Sequence, residues 1–354
     1  MTGLAAELRQ RIERDGPIGV DVFMGEALAH PVHGYYMRRE PFGRAGDFVT
    51  APETSQMFGE LVGLWCLDTW QKMGSPAALD LIELGPGRGS LMVDALRAMA
   101  TSPGARVAFD VHLVETSQRL RAIQRETLRG EAIAWHDRVG AVAGGRPAIV
   151  IANEFFDALP VRQFVATAKG WRERLIAIDD SGFRPVLADL RAQENALPQL
   201  APPGRVAELS PARVAVMTEL AGRIAADGGA ALIVDFAGAG DTLQAVRGHR
   251  RAERFADPGA ADLAAAVDFA SLAGTAAAAG AVSLGPVGQG LFLRRLGIEA
   301  RCRALLAEAR PDQTAAIRTG FGRLVGEGAM GTLYRVLAVC HRDLAVPAGF
   351  EAAP

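Results

Sequence analysis

The sequence predicts an α/β fold built on a doubly wound, mostly parallel sheet. Three observations carry this. Short apolar runs ending in polar residues recur along the chain, separated by helical patterns. One of them, residues 79–84, runs into Gly85-Pro86-Gly87-Arg88-Gly89 and then into Leu91, Met92, Ala95, Leu96 and Met99 at helical spacing. With 354 residues and 49% hydrophobic side chains, the chain can bury a sizeable core.

Taken in order, residues 1–30 read as two helices broken at Asp15-Gly16-Pro17. A turn follows at His30-Pro31-Val32-His33-Gly34-Tyr35-Tyr36. Residues 42–56 form a long polar loop that also carries Phe42 and Phe48, a combination typical of functional loops, with 46–56 expected to close over the cofactor. Residues 53–73 read as a helix with Phe58, Leu61, Val62, Trp65 and Leu67 on its apolar side, and Pro52 suits its start. Strands are expected at 79–84, 107–115, 132–136, 148–153, 230–236 and 281–284. Residues 333–339 form a last strand, expected to be antiparallel. Helices are expected at 90–101, 117–128, 211–226, 262–280, 289–309 and 313–324. Residues 161–167 and 172–178 pair as a hairpin about Lys169-Gly170, opening an insertion over about 161–204. The division is a helical N-terminal cap, 1–78, and a core, 79–345.

Composition excludes several classes. A net charge of −2 gives no basic footprint for nucleic acid. Cys66, Cys302 and Cys340 have neither metal nor redox spacing, and His33, His136, His249 and His341 show no metal spacing either. No membrane insertion is expected, and the N-terminus lacks an apolar signal core. On that basis a cytoplasmic protein is expected. The oligomeric state stays open, a homodimer included.

The glycine turn is Gly-x-Gly-x-Gly, and Ser90 stands where a dinucleotide fingerprint requires glycine. Gly85 and Gly87 let the backbone approach a ligand, with Pro86 between them. Glu83, just before the turn, would repel a pyrophosphate and suit an ammonium. Glu115 closes the second strand, where an acid accepts from ribose hydroxyls. Ammonium, sulfonium and ribose fit two carboxylates better than a dinucleotide does, which points to S-adenosyl-L-methionine.

A second constellation, Asn153-Glu154-Phe155-Phe156-Asp157-Ala158-Leu159-Pro160, follows the strand at 148–153. Carboxyl ends of strands face the ligand crevice in open α/β sheets. Glu154 and Asp157, on one side if the segment turns helically, suit the planar fork of a guanidinium. The other reading of Asp157 is a cap on the next turn. Asn153 belongs with the cofactor residues, as do Asp47 and Thr50 of the long loop, where Asp47 and Glu53 are the acids to test.

These motifs resemble the MidA family of S-adenosylmethionine-dependent methyltransferases, which includes mitochondrial complex I assembly methyltransferases. The resemblance is carried by Gly34-Tyr35-Tyr36, Gly46-Asp47-Phe48-Val49-Thr50-Ala51-Pro52-Glu53, Ser55-Gln56-Met57-Phe58-Gly59-Glu60, the glycine turn, the Asn153–Pro160 segment, Gly240-Asp241-Thr242-Leu243, Gly248-His249-Arg250 and Val267-Asp268-Phe269. It implies a class I methyltransferase fold, methyl transfer to protein arginine and a respiratory complex I subunit as partner. Relatives commonly show Asp-Tyr-Gly where Asp235-Phe236-Ala237 stands, so the hydroxyl is lacking at Phe236. Two other readings remain: an assembly chaperone that binds S-adenosylmethionine without turnover, and a nicotinamide-dependent oxidoreductase, which Glu83 and Ser90 disfavour.

Overall fold

The computed structural model describes residues 3–38, 50–190 and 196–351. The chain gathers into two compact units. One comprises Val49–Phe156, Val216–Ala237 and Phe269–Pro354; the other comprises Met1–Phe48, Asp157–Ala215 and Gly238–Asp268. This differs from a division at residue 78, because the helix Gln56–Lys72 packs with the sheet unit.

The first unit holds a seven-stranded sheet: β1 Leu79–Leu84, β2 Phe109–Val114, β3 Ile133–His136, β4 Ala148–Asn153, β5 Gly229–Phe236, β6 Val282–Gly288 and β7 Tyr334–Cys340. Their spatial order is β6-β7-β5-β4-β1-β2-β3. β1 pairs in parallel with both β2 and β4, β4 with β5, and β2 with β3. β7 runs antiparallel to β5 and β6, as expected of the last strand. Every residue of β1 and β4 is buried. Strands covered on both faces favour apolar runs, which made these two legible as strands although β1 also buries Asp80 and Glu83. The strand order reverses at β1 and β4, so the crevice lies at their carboxyl ends.

Three helices bear on that crevice: α1 Gln56–Lys72, α2 Ser90–Met99 and α3 Gln118–Thr127. α1 starts later than the pattern suggests. Residues Ala51–Thr54 form a separate short helix, and extended Ser55 (φ −166°) caps α1 by accepting from the amide of Met57. α1 lies very close to α2 because Gly59 and Gly63 face it. A Cβ at Gly59 would come within 2.7 Å of the Asp94 Cβ, and one at Gly63 within 2.5 Å of the Ala95 carbonyl oxygen. Buried Glu60 sits between Arg97 and Arg301. Burial would raise its carboxyl, but hydrogen bonds from Arg301 and Arg97 outweigh that and hold it below the usual range. The helix expected over 289–309 divides at Gly297, whose φ of +91° ends Gln289–Arg295 before Ile298–Glu308 begins.

The second unit contains the helices Gly3–Asp15 and Val20–Ala29, separated at Gly16-Pro17 as read from the sequence. The hairpin forms as expected: Arg162–Thr167 pairs antiparallel with Gly170–Asp179, which also takes Gly182–Asp189 and Ile18–Gly19. Phe23 is fully buried and meets Phe183 and Phe255 edge-on. The 262–280 segment is not one helix. Asp262–Ala264 is a strand pairing with Gln244–Arg247, and the helix covers only Phe269–Ala278. Buried Arg213 donates to the carbonyls of Ala265 and Ala266 at 2.7 and 2.8 Å. Those tertiary bonds override the helical propensity of the alanines.

Candidate functional site

β1 ends in Glu83 and Leu84, and the chain turns through three glycines with positive φ: Gly85 (+59°), Gly87 (+54°) and Gly89 (+83°). Side chains are strained there, so the residue type follows from the turn. At Gly85 a Cβ would also press on the Phe155 ring at 3.0 Å. The Gly85 amide donates to the Val114 carbonyl, the Gly89 amide to that of Pro86, and Gly89 then caps α2. The turn therefore presents backbone at a helix N-terminus, the arrangement suited to close ligand approach.

Glu83 is 3% exposed, and its Oε2 has no hydrogen-bond partner among the described residues. Burial pushes its carboxyl up to about 8. A buried carboxyl left unsatisfied is costly unless something outside the chain completes it. Burial, reinforced by Glu83, keeps the nearby Cys66 thiol protonated.

Glu115 follows β2. Its Oε1 accepts from the Ser117 amide at 2.7 Å and its Oε2 from Gln124 Nε2 at 3.4 Å. Burial raises its pKa, opposed by the amides of Ser117 and Thr116 and by Gln124. Gln124 was not singled out from the sequence. Fully buried on α3, it also donates to the Gly87 carbonyl at 2.8 Å and accepts from Trp135 Nε1 at 2.9 Å. One amide thus joins the glycine turn, the acid after β2 and the end of β3. Its spacing in the sequence carries no signal, because all three partners come from other elements.

Asn153, at the end of β4, is 8% exposed, and its Oδ1 has no partner among the described residues. Glu154 follows at φ +50°, a left-handed conformation unusual for glutamate, pinned by its amide donating to the Val234 carbonyl. Its Oε1 accepts from the Ala51 amide at 2.9 Å and from Asn153 Nδ2 at 3.3 Å, and its Oε2 from the Tyr334 hydroxyl at 3.2 Å. The 50–54 segment therefore reaches the end of β4. It also reaches the glycine turn, where Ser90 Oγ donates to Glu53 Oε1 at 2.5 Å. Thr50 caps the short helix through its carbonyl, which accepts from the Thr54 amide. Asp47 lies outside the described residues.

The segment after Glu154 does not turn helically. Asp157 belongs to the second unit, where burial raises its carboxyl to about 6 against the opposing charge of Arg213. Its backbone carbonyl accepts from the Ala265 amide. Asp235, fully buried at the end of β5, accepts from the amides of Phe156 and Phe236, so it fixes the turn after β4.

Together, the sheet order with its single antiparallel strand, the glycine turn and the two acids at adjacent strand ends define a class I methyltransferase. The chain belongs to the family described as S-adenosyl-L-methionine-dependent methyltransferase, whose model matches residues 61–287. It is 37% identical to the mitochondrial protein arginine methyltransferase NDUFAF7 of Danio rerio, over 94% of this chain and 86% of that one. It is 39% identical to the Drosophila melanogaster homolog, over 95% and 84%. A solved structure from Burkholderia thailandensis bound to S-adenosyl-homocysteine superposes with a TM-score of 0.85 at 30% identity, covering 98% of this chain and 93% of that chain. The cofactor is S-adenosyl-L-methionine. The orphaned Glu83 and Asn153 oxygens and the Cβ-free approach at Gly85 fit it. The expected cytoplasmic location is corrected, since the curated relatives are named as mitochondrial. A compartment address is read by receptors and is not encoded in the packing of a folded core.

Proposed function

We propose that this chain transfers a methyl group from S-adenosyl-L-methionine to an arginine side chain of a protein, and that this protein is a respiratory complex I subunit whose assembly the modification supports. The observation that carries the reading is Glu154, a carboxylate held by hydrogen bonds to both oxygens at the carboxyl end of β4, beside the orphaned Asn153 oxygen. The relatives' names supply the acceptor class.

When bound, the cofactor supplies an electrophilic methyl on a sulfonium. Glu83 would pair with its ammonium, Gly85, Pro86 and Gly87 would line its approach, Glu115 would accept from the ribose hydroxyls, and Asn153 and Thr50 would complete the set. A guanidinium entering beside Glu154 brings a charge that a dry site must pair. Glu154 would accept two of its N–H donors, orient one nitrogen and hold the proton that this nitrogen sheds on gaining the methyl. A single ammonium would use such a fork poorly.

The test is transfer of labelled methyl into complex I isolated from cells lacking this gene, with arginine located by mass spectrometry. Glu154→Gln should keep cofactor affinity and lose transfer. Full transfer by Glu154→Gln would refute the acceptor assignment. Cofactor binding with no transfer to any subunit would favour the chaperone reading.

A further inference from the structure

We infer that Tyr334 is a positioning residue for the reaction, setting the orientation of the Glu154 carboxylate from the neighbouring strand. This rests on the reading of Glu154 given above.

Tyr334 is the first residue of β7 and stands directly opposite Phe236, the last residue of β5. The two half-buried rings lie 6.3 Å apart at 56°. From there the Tyr334 hydroxyl donates to Glu154 Oε2 at 3.2 Å. A phenol hydroxyl donates to a carboxylate oxygen.

The geometry divides the carboxylate between two supports. Oε1 is held from the loop side by the Ala51 amide and by Asn153 Nδ2. Oε2 is held from the sheet side by a residue 180 positions away in the sequence. The backbone at Glu154 is already committed, since its left-handed φ and its bond to Val234 fix where the side chain starts. Among the side-chain torsions, rotation about the terminal bond is the softest, broad and roughly two-fold. A donor on each oxygen fixes that rotation and so fixes the plane in which a planar guanidinium can be received. Phe236 cannot do this. It lies across the same strand pair with no hydroxyl, so its ring supports Tyr334 by packing.

Tyr334 touches neither cofactor nor acceptor in this account; it acts through Glu154. Its loss should therefore lower the turnover rate without loosening the cofactor.

The experiment compares Tyr334→Phe, Glu154→Gln and the native chain. Each is assayed for labelled methyl transfer to complex I from cells lacking this gene and for S-adenosyl-homocysteine affinity by calorimetry. Tyr334→Phe should lose about tenfold in rate, the scale of one hydrogen bond to a charged group, with affinity unchanged within about twofold. A second readout needs no turnover. The chain has three tyrosines. With 3-fluorotyrosine incorporated, and Tyr35→Phe and Tyr36→Phe used for assignment, the Tyr334 fluorine resonance should move in Glu154→Gln while the other two stay in place. An unmoved Tyr334 resonance, or a fully active Tyr334→Phe beside an inactive Glu154→Gln, overturns the inference alone. A fully active Glu154→Gln overturns the reading of Glu154 and this inference with it. If Tyr334→Phe folds poorly, the fluorine measurement decides.

Discussion

Glu83→Gln tests the cofactor site most directly. In the free protein the native carboxyl titrates near 8 because burial disfavours its charge. At pH 7 about nine-tenths of it is therefore protonated. Pairing with an ammonium favours the ionised form, so binding S-adenosyl-homocysteine at pH 7 should release about 0.9 proton. Affinity should rise about ninefold between pH 6 and pH 7 for the same reason. The effect on stability has a definite sign. A carboxyl raised in the folded state is protonated there while the unfolded chain has already ionised. Stability of the free protein is therefore fully present below the unfolded pKa and declines as pH rises toward 8. The full decline is on the order of 5 kcal/mol. Glu83→Gln removes both dependences and weakens binding. Calorimetry in two buffers of different ionisation enthalpy reads the proton release, and thermal denaturation across pH reads the stability. Buffer-independent binding by the native chain, or equal proton release by Glu83→Gln, would refute the assignment.

Other expectations concern the frame around that acid. Gly63→Ala should destabilise the fold by about 1–3 kcal/mol, because its Cβ would stand 2.5 Å from the Ala95 carbonyl oxygen and force α1 from α2; an unchanged melting temperature would argue against this close packing. Gln124→Leu should cost more cofactor affinity than its nearly matched shape suggests, since the Gly87 carbonyl and Trp135 Nε1 both lose their partner; calorimetry with S-adenosyl-homocysteine checks it. Glu115→Gln should weaken cofactor binding about tenfold, the scale of one charge-assisted hydrogen bond, with little change in melting temperature. Equal losses of stability and affinity would make Glu115 structural, a clasp for the Ser117 amide.

Much of this site was legible because it is local. The run into Gly85 needs only six buried residues and a turn that excludes side chains, and both are written in consecutive positions. Glu83, Glu115, Asn153 and Glu154 could be named because they terminate such runs. Gln124 and Tyr334 could not, since Gly87 and Glu154, which they hold, lie 37 and 180 residues away and only the fold brings them together. Helical segments failed where tertiary partners took the backbone. Alanines 265 and 266 look helical, yet Arg213 claims their carbonyls. Asp235 illustrates the reverse error. It closes an apolar run much as Glu83 does, but its carboxylate serves the amides of Phe156 and Phe236.

The place of β7 in the sheet also bears on how the chain is made. β5, with seven of its eight residues buried in the finished sheet, lies between β4 and β7, so one of its edges is closed by a strand from the far end of the sequence. On a ribosome adding about 5–20 residues each second, Phe236 emerges roughly 5–20 s before Cys340. During that interval Gly229–Phe236 is an apolar strand with an open edge, the kind of surface that recruits other strands. Nascent chains of this protein should therefore depend on a holding chaperone until translation ends. Variants that stop short of Tyr334 should aggregate even though they retain every residue of the glycine turn.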